Sequence, residues 1–163
     1  MTPDGKAETL WELCEQVCES IAAQPANYFQ HSWAIKAESA RNMALSCNRD
    51  PERKKQIEHT EVCGTAYCRA GWMMAHLRGK AVTYNEGDQA MDLLRAARIE
   101  CGTLFSSEEA GPLAEWGTPE YVQRGVDGMR KFMEANEAKL RAFQITDEMR
   151  DSDWSPGPSS NGE

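Results

Sequence analysis

The sequence lacks both a long apolar run and an excess of basic residues, and each absence excludes a class of protein. No run approaches the roughly 18 apolar residues that span a bilayer, so we expect no association with a membrane. The 163 residues include 18 Lys and Arg against 26 Asp and Glu, which gives a net charge of −8. An acidic surface repels phosphates, so direct binding of nucleic acid is not expected.

The chain begins Met-Thr-Pro-Asp-Gly, without the basic and apolar parts of a secretion signal. We therefore expect a cytoplasmic protein in which the six cysteines are reduced thiols rather than a disulfide framework. A hydrophobic fraction of 40% in 163 residues is typical of one globular domain that needs no such cross-links.

Apolar residues recur at helical spacing through most of the chain, which predicts an all-α fold. We expect a single domain of five or six helices over residues 1–145, with one long C-terminal helix. Residues 146–163 are rich in Ser, Pro, Gly and acids, so an acidic and disordered tail is expected there. Trp154 is unusual in such a tail and is expected to dock on the domain or on a partner.

The clearest helix covers residues 7–23 and carries an apolar stripe on one side, ending at Pro25. Its other side carries four glutamates: Glu8, Glu12, Glu15 and Glu19. Like charges at these spacings repel by roughly 0.2–0.5 kcal/mol per pair, and no lysine in this helix offsets the repulsion. Together with Glu108 and Glu109, from a second acidic stretch, these carboxylates could form one negative face.

The dipeptide Thr118-Pro119 predicts the start of the longest helix, because a capping residue is followed by proline at the first helical position. The apolar stripe from Val122 to Phe143 favours a core helix. Its heptad spacing also suits the seam of a dimer through residues 119–143, in which Asn136 would set the register.

The most informative segment is the box Cys63-Gly64-Thr65-Ala66-Tyr67-Cys68-Arg69-Ala70-Gly71-Trp72. We interpret Thr65 as the N-cap of a helix that runs to about Arg78 and ends at Gly79, where a left-handed glycine belongs. Gly71 inside that helix costs about 1 kcal/mol relative to alanine, so we expect a close backbone contact at this position.

This box resembles one in a group of small phage and bacterial proteins of uncharacterised function, which carry Cys-Gly-Thr-x-x-Cys-x-x-Gly followed by Trp or His. In that group the box opens a helix, and an Ala-x-x-Leu-Leu type helix and a Leu-Phe pair follow. The segments Ala90–Leu94 and Leu104-Phe105 are similar here, and the similarity covers residues 60–135. The resemblance implies a small helical domain, in the host cytoplasm if a phage encodes it, and it implies no activity.

The first chemical alternative for the box is a small zinc-stabilised helical domain. His59, Cys63 and Cys68 could supply three zinc ligands, although structural zinc sites usually place two cysteines closer together at a tight turn. The candidates for a fourth ligand are His31, Cys47 and His76.

The second alternative is a cysteine-dependent enzyme. A thiol near the start of a helix is activated by the helix dipole, but no pattern in the sequence places a base beside Cys63 or Cys68. A disulfide between these two cysteines is a further alternative. The interpretation that agrees better with the sequence than these alternatives is that both thiols are buried and unreactive beside a helix start.

The function we favour needs neither catalysis nor a cofactor. It is that of a non-enzymatic, phage-type binding protein that captures a basic site on a host protein through the acidic face. Such a protein acts as a stoichiometric inhibitor or modulator. A row of carboxylates can stand in for the phosphates of a nucleic acid strand, and charge steering makes capture fast.

Overall fold

The computed structural model describes residues 3–154, apart from the side chains of Glu108 and Glu109. It shows a mostly α-helical single domain, which confirms the predicted fold class. The helices are α1 Leu10–Ala23, α2 Ala37–Cys47, α3 Pro51–Glu58, α4 Arg69–Arg78, α5 Tyr84–Gly87, α6 Gln89–Ala96, α7 Pro119–Ala135 and α8 Glu137–Ala142. Two short strands, β1 (Ala34–Lys36) and β2 (Thr65–Tyr67), pair antiparallel. Within the described residues no helix has the length and apolar content to cross a membrane.

Helix α1 buries one side in the core, as its apolar stripe predicts, but it begins at Leu10 rather than at residue 7. Thr9 begins the helix, because its side-chain oxygen accepts from the backbone N–H of Glu12 at 3.2 Å. The apolar side of α1 packs against α4, α7 and α8. Its fully buried residues include Leu10, Leu13, Val17 and Ile21. The helix ends at Ala23, and Pro25 starts a separate single turn of 3₁₀ helix.

The long C-terminal helix begins where the sequence predicts but is interrupted. Thr118 caps α7 by accepting from the N–H of Tyr121 at 3.1 Å. Helix α7 ends at Ala135, because Asn136 leaves helical geometry and donates its side-chain amide to the Phe132 carbonyl at 3.0 Å. Helix α8 then forms a second, shorter segment.

The apolar stripe of α7 and α8 lies inside the domain. Met129, Met133 and Leu140 are buried, and both helices pack against α1. Cys18 of α1 is in contact with this stripe, with its Sγ 4.0 Å from the Met133 Sδ. A dimer through residues 119–143 stays a prediction, but these side chains already form part of the domain's own core.

The predicted N-cap of the box helix is wrong. Thr65 lies in β2 opposite Lys36 of β1, and helix α4 begins only at Arg69. Cys68 is the N-cap instead, with its Sγ accepting from the N–H of Gly71 at 3.5 Å. The other end agrees with the prediction, since Gly79 closes α4 in the left-handed region at φ 73°.

Glycines allow the segment before β1 to pack closely against the helices. A Cβ at Gly71 would lie 2.0 Å from the Trp33 carbonyl oxygen. This contact explains why a glycine occupies the position although it lowers the stability of the helix. A Cβ at Gly125 of α7 would lie 2.5 Å from the Tyr28 ring. Both positions therefore exclude a side chain, and the expected close contact at Gly71 is present.

The domain extends past the predicted boundary at residue 145. A 3₁₀ helix covers Asp147–Arg150, and the Arg150 guanidinium donates to the carbonyls of Ala7, at 2.8 Å, and Gly5. Met149 and Trp154 are partly buried against the core. The part of the predicted tail over 146–154 is therefore folded onto the domain, whereas 155–163 lies outside the described residues.

Candidate functional site

Three of the four glutamates predicted for the first helix lie on the solvent side of α1, and Glu8 lies just before its N-cap, Thr9. Glu8, Glu12 and Glu19 are exposed and Glu15 is half-buried. The Glu12 carboxylate also accepts from the N–H of Glu8 at 2.8 Å, which satisfies a donor near the start of the helix. We call the surface formed by these four glutamates the acidic face.

Glu108 and Glu109 were expected to belong to the same face. They lie in the 3₁₀ helix Ser107–Ala110, which contacts α7. Their side chains lie outside the described residues, so their predicted place on the acidic face stays a prediction.

The C-terminal segment brings further carboxylates to the N-terminal end of the acidic face. Ile145 donates its N–H to the Glu8 carbonyl at 2.8 Å, and Arg150 holds the next turn against Ala7. The exposed acidic residues of this segment are Asp147, which pairs with Arg150 at 3.6 Å, Glu148, Asp151 and Asp153. Sequence reasoning missed them because an acidic composition after residue 145 also predicts disorder.

Two arginines lie near α1, but neither forms a salt bridge with the acidic face. Arg130 is close enough to Cys18 to oppose the rise that burial causes in the pKa of its thiol. Arg141 borders the acidic face, but its guanidinium pairs with Glu137 at 2.7 Å and lies 4.0 Å above the centre of the Trp11 ring. Across residues 3–154, no ion pair involves a carboxylate of the acidic face. The face therefore presents negative charge without a salt-bridge partner among the described residues, at helical spacing for Glu12, Glu15 and Glu19.

The two thiols of the box lie in different environments. Cys63 is exposed and Cys68 is buried, and all six cysteines of the chain are free. Burial raises the pKa of the Cys68 thiol to about 11, and the Gly71 N–H only partly opposes this effect. Near neutral pH Cys68 is therefore a protonated thiol, which is a poor nucleophile and a poor metal ligand.

The three residues of the predicted zinc alternative are not brought together. His59 is exposed at the end of α3, Cys63 is exposed, and Cys68 is buried at the start of α4. The extended residues of β2 lie between the two cysteines and advance by about 3.3 Å each. In the part of the chain that the structure describes, no group of three His, Cys, Asp or Glu residues is placed to hold a metal ion.

The other two histidines are engaged in packing. His76 is buried, its Nε2 lies 2.6 Å from the Ser20 Oγ, and its ring stacks on Trp72. Burial lowers the pKa of His76 to about 4 and also lowers the pKa of His31. His31 and Cys68 line one cavity, but no hydrogen bond joins a thiol to an imidazole within residues 3–154. The arrangement therefore holds no assembled pair of a thiol and its base.

Arg69 connects the box with α7 and with the segment that contains Leu104. Its side chain is fully buried. The guanidinium donates to the carbonyls of Leu104 at 2.8 Å, Arg124 at 3.0 Å and Gly125 at 3.0 Å. A Cβ at Gly128 would lie 2.2 Å from this guanidinium. Arg69 thus has a structural role, joining the start of α4 to α7 and to the segment that contains Leu104.

Comparisons of the chain with models of protein families, with curated proteins and with solved structures gave no match. The candidate site consequently rests on the residues and geometry of this chain.

Proposed function

We propose that this chain is a non-enzymatic binding protein that captures a basic site on another protein through its acidic face. In this proposal it acts stoichiometrically on a host protein, as a phage-type inhibitor or modulator does. The observation that supports the proposal is a row of exposed or half-buried carboxylates on α1 and just before it, with no ion-pair partner within residues 3–154.

The position of the row suits a docking surface. Helix α1 is anchored by its buried side in the core, so the carboxylates on its outer side are held at fixed positions. Residues three or four apart advance by about 4.5–6 Å along a helix axis, and the C-terminal segment adds acids at one end. A basic partner would relieve the repulsion between the carboxylates, and the charge would steer the encounter.

Charge reversal tests this proposal. The test variant is Glu12→Lys, Glu15→Lys and Glu19→Lys together. The matched control reverses three exposed glutamates around α3, namely Glu52, Glu58 and Glu61. Both variants change the net charge equally, so a difference between them reports on the acidic face rather than on total charge.

Each protein is immobilised and used to capture partners from a host lysate at two salt concentrations, and circular dichroism verifies folding. The wild type and the control variant should capture the same basic protein, with weaker capture at high salt. The test variant should lose it. Undiminished capture by the test variant at physiological salt would refute the proposal.

A further inference from the structure

A cavity of about 220 Å³ opens beside the start of α4, between the segment before β1 and the start of α5. We propose that this cavity binds a small neutral molecule in which one hydrogen-bond donor, a hydroxyl or an N–H, is joined to a compact apolar body. The donor bonds to the Nε2 atom of His31, a residue of the cavity lining. We call this cavity the His31 pocket.

The Nε2 atom of His31 is a buried acceptor that has no hydrogen-bond partner within residues 3–154. Burial lowers the pKa of His31 from 6.5, so the ring is neutral near pH 7. A hydrogen bond to the Gly111 backbone opposes this shift, which means that the ring is its donor. Since Nε2 has no partner, Nδ1 carries that hydrogen and Nε2 carries the lone pair. A buried acceptor without a donor destabilises the fold, and a ligand that donates to it removes this penalty.

The imidazole ring of His31 is held in place by its neighbours. It stacks on Tyr121, with ring centroids 6.5 Å apart and an angle of 19° between the rings. Phe29 contacts it as well, with centroids 5.5 Å apart. Because neither aromatic residue nor Gly111 belongs to the pocket lining, the edge that carries Nε2 is the part of the ring left to face the pocket. The acceptor is therefore preorganised, which lowers the cost of binding.

The polar groups next to His31 in the lining already have partners. The Gln30 Oε1 accepts from the Tyr28 hydroxyl at 3.0 Å and from the Arg69 N–H at 3.1 Å. The Ser32 hydroxyl donates to the Ala34 carbonyl at 3.2 Å. One donor in the ligand is therefore enough to satisfy this part of the pocket, and a molecule with many polar groups would lose hydrogen bonds to water without replacement.

The charges around the His31 pocket select against ions. The lining contains no Asp or Glu among the described residues, and the Arg69 guanidinium lies nearby, where it donates to the Leu104 carbonyl at 2.8 Å. A cation therefore meets no opposite charge and is repelled by Arg69. A carboxylate has no hydrogen to donate to Nε2, and the net charge of −8 repels it. A neutral donor meets neither penalty.

The aromatic walls suit an apolar body. Trp33 and Phe105 are partly buried and meet edge to face, with ring centroids 6.2 Å apart. Trp33 is fixed by close packing, since a Cβ at Gly87 would lie 2.7 Å from its own Cβ. A cavity of about 150 Å³ is large enough for benzene, so the His31 pocket holds a six-membered ring with a substituent. An apolar group that displaces poorly ordered water from such walls gains affinity.

The test compares phenol with toluene, in which a methyl group replaces the hydroxyl group. Binding is followed by NMR through the indole N–H signal of Trp33, assigned with a Trp33→Phe variant, and through the Nε2 nitrogen signal of His31. Phenol should shift both signals saturably, the second towards that of a protonated nitrogen. Toluene should bind roughly three- to tenfold more weakly, since it makes no hydrogen bond. Equal affinity of the two, or no saturable shift with phenol, would overturn the proposal and leave water as the donor to Nε2.

Anisole separates donation from acceptance without any change to the protein. It keeps the oxygen of phenol but has no hydrogen on it, so it should bind no more tightly than toluene. An affinity of anisole equal to that of phenol would contradict a donor in the ligand. This comparison uses the wild-type chain, so it decides the question even where a variant fails to fold.

His31→Asn tests the acceptor itself. The asparagine amide can donate to the Gly111 carbonyl, but it is too short to place an acceptor where Nε2 lies, so phenol should lose its advantage over toluene. His59→Asn changes an exposed histidine outside the pocket lining and should keep that advantage. An undiminished advantage in folded His31→Asn would overturn the assignment to Nε2. This inference does not depend on the acidic face, so either proposal can fail alone.

Discussion

Lowering the pH from about 7.5 to about 5 should destabilise this domain through His76. The imidazole is fully buried, with Ser20 at its Nε2 and Trp72 stacked on its ring. Burial lowers the pKa of His76 from 6.5 to about 4, and the negative charge of Asp4 only partly opposes this shift. The unfolded chain therefore accepts a proton at a pH where the folded chain still excludes it.

The size of the effect follows from this difference in pKa. The stabilisation from neutral His76 is complete well above pH 6.5 and is lost progressively as the pH falls through 6.5 towards 4. Each unit of pH in this window is worth up to about 1.4 kcal/mol. Between pH 7.5 and 5 the free energy of unfolding should therefore fall by about 2 kcal/mol through this residue.

Urea unfolding at several pH values, followed by circular dichroism, measures the effect. His76→Gln keeps a polar partner for Ser20 but does not titrate, so its stability should fall about 2 kcal/mol less over this range. His59→Gln changes an exposed histidine and should behave like the wild type. His31 is present in all three proteins and cancels. Parallel pH profiles for wild type and His76→Gln would refute the reasoning.

Three further substitutions test the packing of the domain. Gly71→Ala should lower the free energy of unfolding by roughly 1–3 kcal/mol, because the new Cβ must displace the Trp33 carbonyl; an unchanged urea midpoint would contradict the close contact. Arg69→Met should cost at least about 2 kcal/mol, because three carbonyls lose their buried donor; wild-type thermal stability would show that the contact is dispensable. Thr118→Ala should cost about 1 kcal/mol and Thr118→Ser much less, since serine also caps α7; equal losses would argue against the cap.

Helix ends with strong local chemistry could be predicted from the sequence. Thr118-Pro119 starts α7, and Gly79 ends α4, because capping depends on residues within one turn of the helix end. The glutamates of α1 could also be placed in solvent, since the apolar stripe fixes the buried side of that helix.

The start of the box helix could not be predicted in this way. Threonine suits both a helix cap and a strand, and Thr65 is drawn into β2 by pairing with β1, about thirty residues earlier in the chain. Cys68 therefore caps the helix, although its sulfur is a weak acceptor and an uncommon capping group. A contact distant in sequence therefore decided the local structure.

The C-terminal contribution to the candidate site was hidden for a similar reason. Arg150 fixes the 3₁₀ helix by donating to backbone carbonyls near the other end of the chain, at Ala7 and Gly5. Every residue has a backbone carbonyl, so the sequence does not indicate which carbonyls accept these hydrogen bonds. The segment therefore reads as a disordered acidic tail in the sequence, although its own arginine binds carbonyls at the other end of the chain.

Native-state alkylation is the most direct test of whether Cys68 is a buried helix cap rather than a reactive or metal-binding group. The folded protein is treated with iodoacetamide, and the modified cysteines are identified by peptide mass spectrometry with and without urea. The exposed Cys47 and Cys63 should be alkylated in the folded protein, and Cys68 only after unfolding. Alkylation of Cys68 in the folded protein as fast as Cys63 would contradict the structural role of this thiol and reopen a cysteine-based activity.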